Sequence, residues 1–447
     1  MDQQSNVAMR TCAVDRLCGG CANSAVPYDR QLAAKDRAMS ELFAQVRGNA
    51  ELRPIMGMDD PYYYRNKVAS PFASGKKLPG KGKPQKGEKP GRNGKAKGGV
   101  KRTSRGLDRD VLTGMYQVGT HRLVPTDECL IENRNAKRVV LAIRQIMMRH
   151  GIQPYDEDKG TGFIRHVVVR VGHESGEMLV TVVTNEREFP ASKQFCRELV
   201  KRCPYVTTVV QNVNMRKTNV ILGQEERTLY GPGFILDTLC GLSFRISSQS
   251  FYQVNAVQTE VLYTAAIDLA GLTGNETVID AYCGTGTIGL VAASRGAKRV
   301  IGVESVASAV RDARQNARHN GVDNAQFVTA DAAQLMRALA GQQTLEAAVM
   351  KDIAQDVPVP EQTVLLMDPP RAGSSPEFLE AASAFGPRKI VYISCNPTTQ
   401  ERDVKYLINC GYRLQVIQPV DMFPHTDHVE CICLLQRAET SHEKETA

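Results

Sequence analysis

The stretch TVIDAYCGTGTIGL, residues 277–290, is the most informative part of the chain. It begins with an apolar run that is typical of a buried strand, and it continues through a glycine-rich turn into a helical pattern. Gly284, Gly286 and Gly289 have the spacing G-x-G-x-x-G, which permits a tight turn and lets a ligand approach the backbone closely. The stretch therefore predicts a strand, a ligand-binding turn and a helix in succession.

Strand and helix patterns alternate regularly from this stretch to the carboxyl end. Strands are predicted at 277–281, 299–304, 325–329, 363–368 and 389–394, followed by 412–418 and 429–436. Because such alternation produces a parallel sheet with helices on both faces, we predict that residues 243–447 form a doubly wound, Rossmann-like domain of the α/β class.

The chain before residue 243 is organised differently. Residues 1–54 contain a cysteine cluster and a helical pattern. Residues 55–242 contain β-branched runs at 165–171, 178–183 and 206–210, and helical patterns around 134–150 and 190–202. This mixture predicts an α+β central domain between the amino-terminal segment and the Rossmann-like domain.

The net positive charge of the chain comes from one segment of the central domain. The 447-residue chain has a formal net charge of +8, but residues 75–106 hold twelve Lys and Arg against one Glu, so the remainder carries −3. With almost no apolar residues to offset the entropy of ordering, 75–106 is predicted to be a flexible basic insertion. Such a segment is either a solvated surface or a source of phosphate contacts with RNA.

The sequence shows no sign of a membrane protein. It has no run of eighteen apolar residues, and its start lacks the basic-then-apolar pattern of a signal peptide. We therefore expect a cytoplasmic protein with no membrane partner. Its twelve cysteines should then be mostly reduced, so that clustered cysteines predict metal ligation or catalysis rather than disulfides.

The glycines alone do not identify the ligand of the turn, because nicotinamide enzymes and S-adenosylmethionine enzymes share their spacing. Glu304, twenty residues past Gly284, is placed to bind a ribose hydroxyl. Asp280 precedes the turn, where a carboxylate would repel a pyrophosphate but suits a cationic amino-acid moiety. Asp280 favours S-adenosylmethionine, and a nicotinamide-dependent oxidoreductase is the alternative from another class.

Three further residues are predicted to lie at the edge of the same sheet. Asp368 ends one strand pattern and is followed by two prolines, and Cys395 follows the next strand pattern. Glu430 begins a largely apolar strand, where a carboxylate must face an edge or a cavity. Cys395 is thus a candidate nucleophile and Glu430 a candidate base, although a lone free thiol is more often a buried structural residue.

A metal-binding pattern lies at the amino end. Cys12, Cys18 and Cys21 fall within ten residues, and Cys129 supplies a fourth thiol. Four thiolates suit zinc or an iron–sulfur cluster, and the spacing does not separate the two well. Near the carboxyl end, the histidines at 425 and 428 complete no recognised ligand set, so no metal is expected there.

Several motifs together resemble the RNA uracil-C5 methyltransferase family. They are Tyr282-Cys283-Gly284-Thr285-Gly286, Asp368-Pro369-Pro370-Arg371, Ser394-Cys395-Asn396-Pro397 and His428-Val429-Glu430. The segment 250–255, SFYQVN, is similar to the one that precedes the cofactor turn in that family. The resemblance spans about the last 200 residues and implies a class I, S-adenosylmethionine-dependent methyltransferase.

The resemblance also implies a role for each matching residue. Cys395 would add to carbon 6 of uracil, and Glu430 would remove the proton from carbon 5. The residues that would contact the cofactor are Gln253, Tyr282, Thr287, Glu304, Asp331 and Asp368. The target base in structured RNA would have to be flipped out to reach the sulfur.

The cysteine run resembles one branch of this family, iron–sulfur methyltransferases of 23S rRNA. The resemblance implies a [4Fe–4S] cluster, in preference to zinc, on Cys12, Cys18, Cys21 and Cys129. It favours ribosomal RNA over transfer RNA as the substrate, and it implies no obligate protein partner. A non-catalytic iron–sulfur RNA-binding protein is a further alternative, against which the intact catalytic set argues.

Members of that branch often begin with a small β-barrel RNA-binding module. Only eleven residues precede Cys12 here, so we expect RNA affinity to come from elsewhere. The 75–106 insertion is one candidate source. The others, in the central domain, are Arg65, Lys67, Arg165 and His166.

Overall fold

The computed structural model describes residues 8–78, 106–344 and 357–438. Most of the predicted basic insertion, from residue 79 to residue 105, lies outside the described residues. Within the three described ranges, none of the helices has both the length and the apolar composition of a membrane span.

Two large sheets, one two-stranded sheet and nine α-helices are the main elements of the described part of the chain. In chain order the elements are α1 (Tyr28–Phe43), β1 (Glu51–Leu52), β2 (Lys67–Lys77), β3 (Arg109–Tyr116), β4 (Leu123–Pro125), α2 (Arg134–His150), β5 (Ile164–Val171), β6 (Met178–Thr184), α3 (Ser192–Arg202), β7 (Val206–Val213), β8 (Glu225–Tyr230), β9 (Ile235–Leu239), β10 (Leu242–Ile246), α4 (Ala256–Ala270), β11 (Thr277–Ala281), α5 (Thr287–Ser294), β12 (Arg299–Glu304), α6 (Ala307–His319), β13 (Ala325–Thr329), α7 (Ala332–Leu339), β14 (Thr363–Met367), α8 (Pro376–Phe385), β15 (Lys389–Ser394), α9 (Pro397–Asn409), β16 (Tyr412–Val420) and β17 (Glu430–Arg437).

The larger sheet has eight strands in the order β1-β16-β17-β15-β14-β11-β12-β13. The strands from β13 to β15 are parallel, and β17 runs antiparallel to both of its neighbours, β15 and β16. The strand order reverses between β11 and β14, which is the switch point where doubly wound folds bind their ligands. The predicted Rossmann-like architecture is confirmed.

Helices cover both faces of this sheet because its central strands are apolar on both sides. Along β11, Ile279 and Ala281 pack into a core with α1, α7, α8 and α9, whereas Val278 packs with α4, α5 and α6 on the other face. The alternation follows from the two-residue period of a strand. Strands buried on both faces appear in the sequence as continuous apolar runs, which explains why the sequence located them accurately.

The second sheet, in the order β4-β3-β2-β5-β6-β7-β8, forms the α+β central part of the chain. It is antiparallel except between β6 and β7, which α3 connects. Side chains of α2 and α3, among them Ile143 and Leu199, pack with its strands in a separate core. Strand β2 extends to Lys77, which pairs with Arg109 of β3. Residues 75–77 therefore belong to a strand, and the insertion begins later than we predicted.

The amino-terminal segment packs on the eight-stranded sheet. β1 pairs in parallel with β16, and Met39 and Phe43 of α1 join the same core. Lys35 Nζ forms a buried ion pair with Asp421 Oδ1 at 2.7 Å. The hydroxyl of Tyr28 donates to the other oxygen of Asp421 at 2.9 Å. The segment thus shares its core with the distant carboxyl-terminal part of the chain.

Replacing Lys35 by methionine should destabilise the fold, because Asp421 would stay buried without its cation. Removing one partner of a buried ion pair costs about 3–5 kcal/mol. The matched control, Arg53→Met, breaks the exposed pair with Glu51 and should cost less than about 1 kcal/mol. Urea unfolding measures both values. Similar small losses in the two variants would show that the Lys35–Asp421 pair does not hold α1 on the sheet.

Candidate active site

The glycine turn follows β11 at the carboxyl edge of the larger sheet. Tyr282, Gly284 and Gly286 have positive φ angles of 66°, 54° and 79°. A Cβ atom on Gly284 would meet no heavy atom within 4 Å, so the turn faces open space. Glu304, at the end of β12, accepts hydrogen bonds from the amide of Gly284 at 3.3 Å and from that of Val306 at 2.9 Å. The turn and Glu304 therefore lie together.

Other residues with predicted cofactor contacts lie around this turn. Burial raises the pKa of Tyr282 to about 12, and the nearby carboxylate of Asp331 contributes to the rise. Asp331 follows β13, and its side chain caps α7 by accepting a hydrogen bond from the amide of Gln334 at 3.0 Å. Thr287 is the first residue of α5, and its Oγ1 lies 3.1 Å from the hydroxyl of Tyr263.

Gln253 lies on the segment that leads into α4. Its carbonyl accepts a hydrogen bond from Asn66 Nδ2 at 3.1 Å, and the carbonyl of Val254 accepts one from the Asn66 amide at 2.8 Å. Because Asn66 adjoins the first strand of the central sheet, these bonds fix the segment between the two sheets.

Three carboxyl groups at this edge influence one another. Burial, followed by the charge of Asp368, raises the pKa of Asp280 to about 8. Burial raises the pKa of Asp368, and burial together with the charge of Asp368 raises that of Glu430. Asp280 is 1% exposed, and a hydrogen bond from the amide of Gly289 acts against the rise in its pKa. A positively charged ligand would stabilise the ionised forms of these groups.

Cys395 lies at the same edge, between β15 and α9. The antiparallel pairing of β15 with β17 brings Cys395 and Glu430 side by side. Burial and then the charges of Glu430 and Asp368 raise the pKa of the half-buried Cys395 thiol, whereas Arg371 acts to lower it. The structure thus brings together the thiol and the two carboxyl groups that the sequence singled out.

Arg371 connects the elements around Cys395. Its carbonyl accepts hydrogen bonds from Asn396 Nδ2 at 3.0 Å and from Thr399 Oγ1 at 3.4 Å. Its guanidinium lies 3.3 Å from Nδ1 of His428. The sequence alone assigned no role to Arg371 or His428. Both residues belong to motifs quoted above, and that membership was the one indication that they lie at the site.

A cavity of about 560 Å³ lies in front of Cys395. Arg371 and His428 form part of its wall, and residues 19–22 and Arg65 form another part. The volume is in the usual range for sites that enclose a small molecule or a single nucleotide-sized group. The cysteine-rich segment at the amino end therefore borders the site of the candidate nucleophile.

The four cysteines of the predicted metal site line a second cavity, of about 470 Å³. Burial raises the pKa of Cys21 to about 12, with further contributions from Cys129, Cys18 and Cys12. Four thiolates here would need positive charge among them to be stable. Across the described ranges, however, no group of three or more His, Cys, Asp or Glu side chains has the arrangement of a metal site.

Two of the residues that we expected to contact RNA are buried. Arg165 donates to the carbonyl of Asn214 at 2.9 Å, and burial lowers the pKa of His166 to about 4. Both side chains are buried in the central sheet, so the prediction that they contact RNA was wrong. Arg65 and Lys67 line the four-cysteine cavity.

Comparison with known proteins identifies the family. A family model described as tRNA (uracil-5-)-methyltransferase matches residues 237–438. A Listeria monocytogenes protein described as an uncharacterized RNA methyltransferase is 39% identical over 427 residues, which cover 95% of this chain and 83% of that protein. The chain belongs to the RNA uracil-C5 methyltransferase family. A Halalkalibacterium halodurans protein with the same description is 38% identical over 427 residues, covering 95% of this chain and 82% of its own.

A solved structure supports the same assignment for this uracil-C5 methyltransferase. The crystal structure of Pyrococcus abyssi tRNA (uracil-54, C5)-methyltransferase in complex with S-adenosyl-L-homocysteine has 26% sequence identity and a TM-score of 0.68. The similarity covers 94% of this chain and 86% of that one. The protein is therefore an S-adenosylmethionine-dependent enzyme, and the nicotinamide-dependent oxidoreductase is excluded.

Raising the pH should destabilise the ligand-free enzyme through Asp280. The folded state keeps the Asp280 proton up to about pH 8, whereas the unfolded chain releases it near pH 4, so stability falls as the pH rises between these values. Asp280→Asn should flatten that decline by up to about 1.4 kcal/mol per pH unit, whereas the exposed control Asp323→Asn should not. Urea unfolding between about pH 5 and pH 8 measures the slopes. Parallel curves for the two variants would contradict the account.

Proposed function

We propose that this enzyme methylates carbon 5 of a uridine in RNA through a covalent bond between Cys395 and carbon 6. The main support for the proposal is that Cys395, Asp368 and Glu430 lie close together at one edge of the sheet, beside the 560 Å³ cavity. Methylation of an unreactive carbon requires a nucleophile to activate it and a base to remove its proton.

The proposed steps follow from the chemistry of uracil. The Cys395 thiolate bonds to carbon 6, the 5,6 double bond opens to an enolate, and carbon 5 gains the nucleophilic character that it lacked. Carbon 5 then bonds to the electrophilic methyl group that S-adenosylmethionine would supply when bound, and S-adenosylhomocysteine is left. Glu430 accepts the carbon-5 proton, the double bond re-forms, and Cys395 leaves as a thiolate. The RNA product is a 5-methyluridine.

Two features oppose the rise in the pKa of the Cys395 thiol that burial, Glu430 and Asp368 cause. The sulfur lies just before α9, where the positive end of the helix dipole favours a thiolate, and Arg371 acts in the same direction. The raised pKa of Glu430 suits a base that must take a proton in one step and release it afterwards.

We also infer that the cofactor binds along the ends of β11 to β14. The proposed contacts are Gln253, Tyr282, Thr287, Glu304, Asp331 and Asp368. The open turn at Gly284 and the buried carboxyl group of Asp280 fit a cationic nucleoside there. Glu304→Ala should weaken binding of S-adenosylhomocysteine at least about tenfold in calorimetry, because a ribose ligand is lost. The control Asp323→Ala should bind normally, and equal affinities would exclude the role of Glu304.

Ribosomal RNA is the substrate that we propose, and the support is the amino-terminal cysteine run. Transfer RNA is the alternative, which the family description and the Pyrococcus abyssi relative favour. We expect RNA contacts from Arg65, Lys67 and the basic insertion, no obligate protein partner, and a cytoplasmic location. Lys and Arg side chains that neutralise RNA phosphates release counterions, so the affinity for RNA should fall steeply as the salt concentration rises. An affinity for RNA that does not depend on salt would exclude these contacts.

We propose further that Cys12, Cys18, Cys21 and Cys129 hold a [4Fe–4S] cluster. The support is their common cavity and their mutual effect on pKa, which a positively charged iron core would relieve. Methyl transfer needs no electron, so the cluster would have a structural role. Anaerobically purified protein should contain about four irons per chain. One zinc per chain in place of iron would overturn the assignment.

The substrate can be tested by mapping 5-methyluridine in cells that lack this protein. We expect at least one uridine in ribosomal RNA to lose its methyl group, because the enzyme that methylates it would be absent. Mass spectrometry of nuclease digests of ribosomal and transfer RNA gives the measurement, and re-expression is the control. Loss in transfer RNA alone would favour the alternative substrate.

Replacing Glu430 by glutamine should trap the enzyme on ordinary RNA. Glutamine keeps the size of the side chain but cannot accept the carbon-5 proton, so turnover should fall about 100-fold or more while the covalent adduct accumulates. A protein–RNA band on a denaturing gel measures the adduct. Glu401→Gln, in α9, is the matched control. Normal turnover by Glu430→Gln would exclude it as the required base.

A further inference from the structure

Two loops that are far apart in sequence are bound to each other beside the active site. The first is the cysteine loop, residues 12–23, and the second is the β16–β17 loop, residues 421–429, which leads into Glu430. The amides of Ala22 and Asn23 both donate to the carbonyl of His425, at 3.1 and 2.9 Å. One carbonyl in the β16–β17 loop therefore holds two residues of the cysteine loop.

Side chains reinforce the contact. Asn23 Nδ2 donates to Asp427 Oδ1 at 2.6 Å. Gln31, on α1, accepts a hydrogen bond from the His425 amide at 2.9 Å, and its Nε2 lies 3.1 Å from the carbonyl of Asn23. Gln31 is 3% exposed and thus binds both loops from the interior.

These contacts hold His425 in an unfavourable backbone conformation. Its φ angle is 68°, in the left-handed region that costs a residue with a side chain about 1–3 kcal/mol unless its surroundings enforce it. Its ring is 2% exposed and stacks on Tyr62, with the ring centroids 4.9 Å apart. The contacts with the cysteine loop and Gln31 therefore determine the path of the chain from residue 425 towards Glu430.

The cysteine loop also forms the wall between the two cavities. Gly19, Gly20 and Cys21 border the four-cysteine cavity on one side and the cavity in front of Cys395 on the other. His425 lines the four-cysteine cavity, whereas His428 lines the cavity of Cys395. The β16–β17 loop thus follows the cysteine loop from one cavity to the other.

We propose that Gln31 and Asn23 are positioning residues for the base, and that they hold the β16–β17 loop against the cysteine loop. The proposal rests on the proposed function of Cys395 and Glu430. Attack by Cys395 depends mainly on β15 and α9, which these contacts do not touch, and the β16–β17 loop reaches Cys395 only through the contact of His428 with Arg371. Release of the adduct depends on Glu430, which follows the held loop. Loosening the loop should therefore slow the second half of the reaction more than the first.

The test compares three variants of the full-length protein. Gln31→Leu removes the buried amide at nearly constant size, Asn23→Ala removes the single side-chain bond to Asp427, and Arg30→Leu changes an exposed neighbour on α1 as a control. Hydrogen exchange followed by mass spectrometry should show faster exchange across residues 421–429 in the first two variants. Arg30→Leu should match the wild type.

The reaction is then followed in two halves. On ordinary RNA, Gln31→Leu should turn over at least about tenfold more slowly and accumulate the covalent protein–RNA complex, with Asn23→Ala changing in the same direction by less. On RNA that contains 5-fluorouridine, the rate at which the trapped complex forms should fall less in both variants than their turnover on ordinary RNA does. Iron content per chain should stay at the wild-type value, which separates positioning from loss of the cluster.

Two results would overturn the proposal. One is wild-type turnover in both variants, and the other is an equal loss of trapping and turnover. If Gln31→Leu does not fold, the milder Asn23→Ala carries the test alone. A wild-type protein that traps no fluorouridine RNA would refute the proposed function instead, and the exchange measurement would still report whether these residues hold the loop.

Discussion

The common direction of the central strands is the constraint on which the rest of the site depends. β11, β12, β14 and β15 run parallel, so the residues that end or follow them lie along one edge of the sheet. Tyr282, Glu304, Asp368 and Cys395 all occupy that edge. β17 runs in the opposite direction, so its first residue, Glu430, reaches the same edge from the other side. A single antiparallel strand thereby places the proposed base beside the proposed nucleophile.

Electrostatics at this edge match the methyl donor of the family. Asp280, Asp368 and Glu430 each have a raised pKa, and burial is the largest cause for all three. S-adenosylmethionine carries a sulfonium charge that its demethylated product lacks. The carboxylates would therefore attract the charged donor more strongly than the product, which helps exchange of one for the other. A bound cation would also lower the pKa of Glu430 towards the ionised form that accepts a proton.

The sequence predicted the Rossmann-like part well because its strands are buried on both faces and its motifs are local. It could not reveal that β1 joins that sheet or that α1 packs on it, because the partners of Lys35 and Gln31 lie nearly 400 residues away in the chain. Arg165 was misjudged for a related reason. A charged residue in an apolar strand can be exposed or can bind buried carbonyls, and tertiary packing alone selects between these outcomes.

The bond between Cys395 and carbon 6 of the target uridine is the central claim, and mass spectrometry tests it most directly. The enzyme is incubated with S-adenosylmethionine and RNA containing 5-fluorouridine, whose fluorine cannot leave as a proton, and the complex is digested with protease and nuclease. The account predicts a peptide in which Cys395 carries a methylated fluorouridine nucleotide, and no such product from Cys395→Ala. A nucleotide on a different residue, or a complex that survives Cys395→Ala, would contradict it.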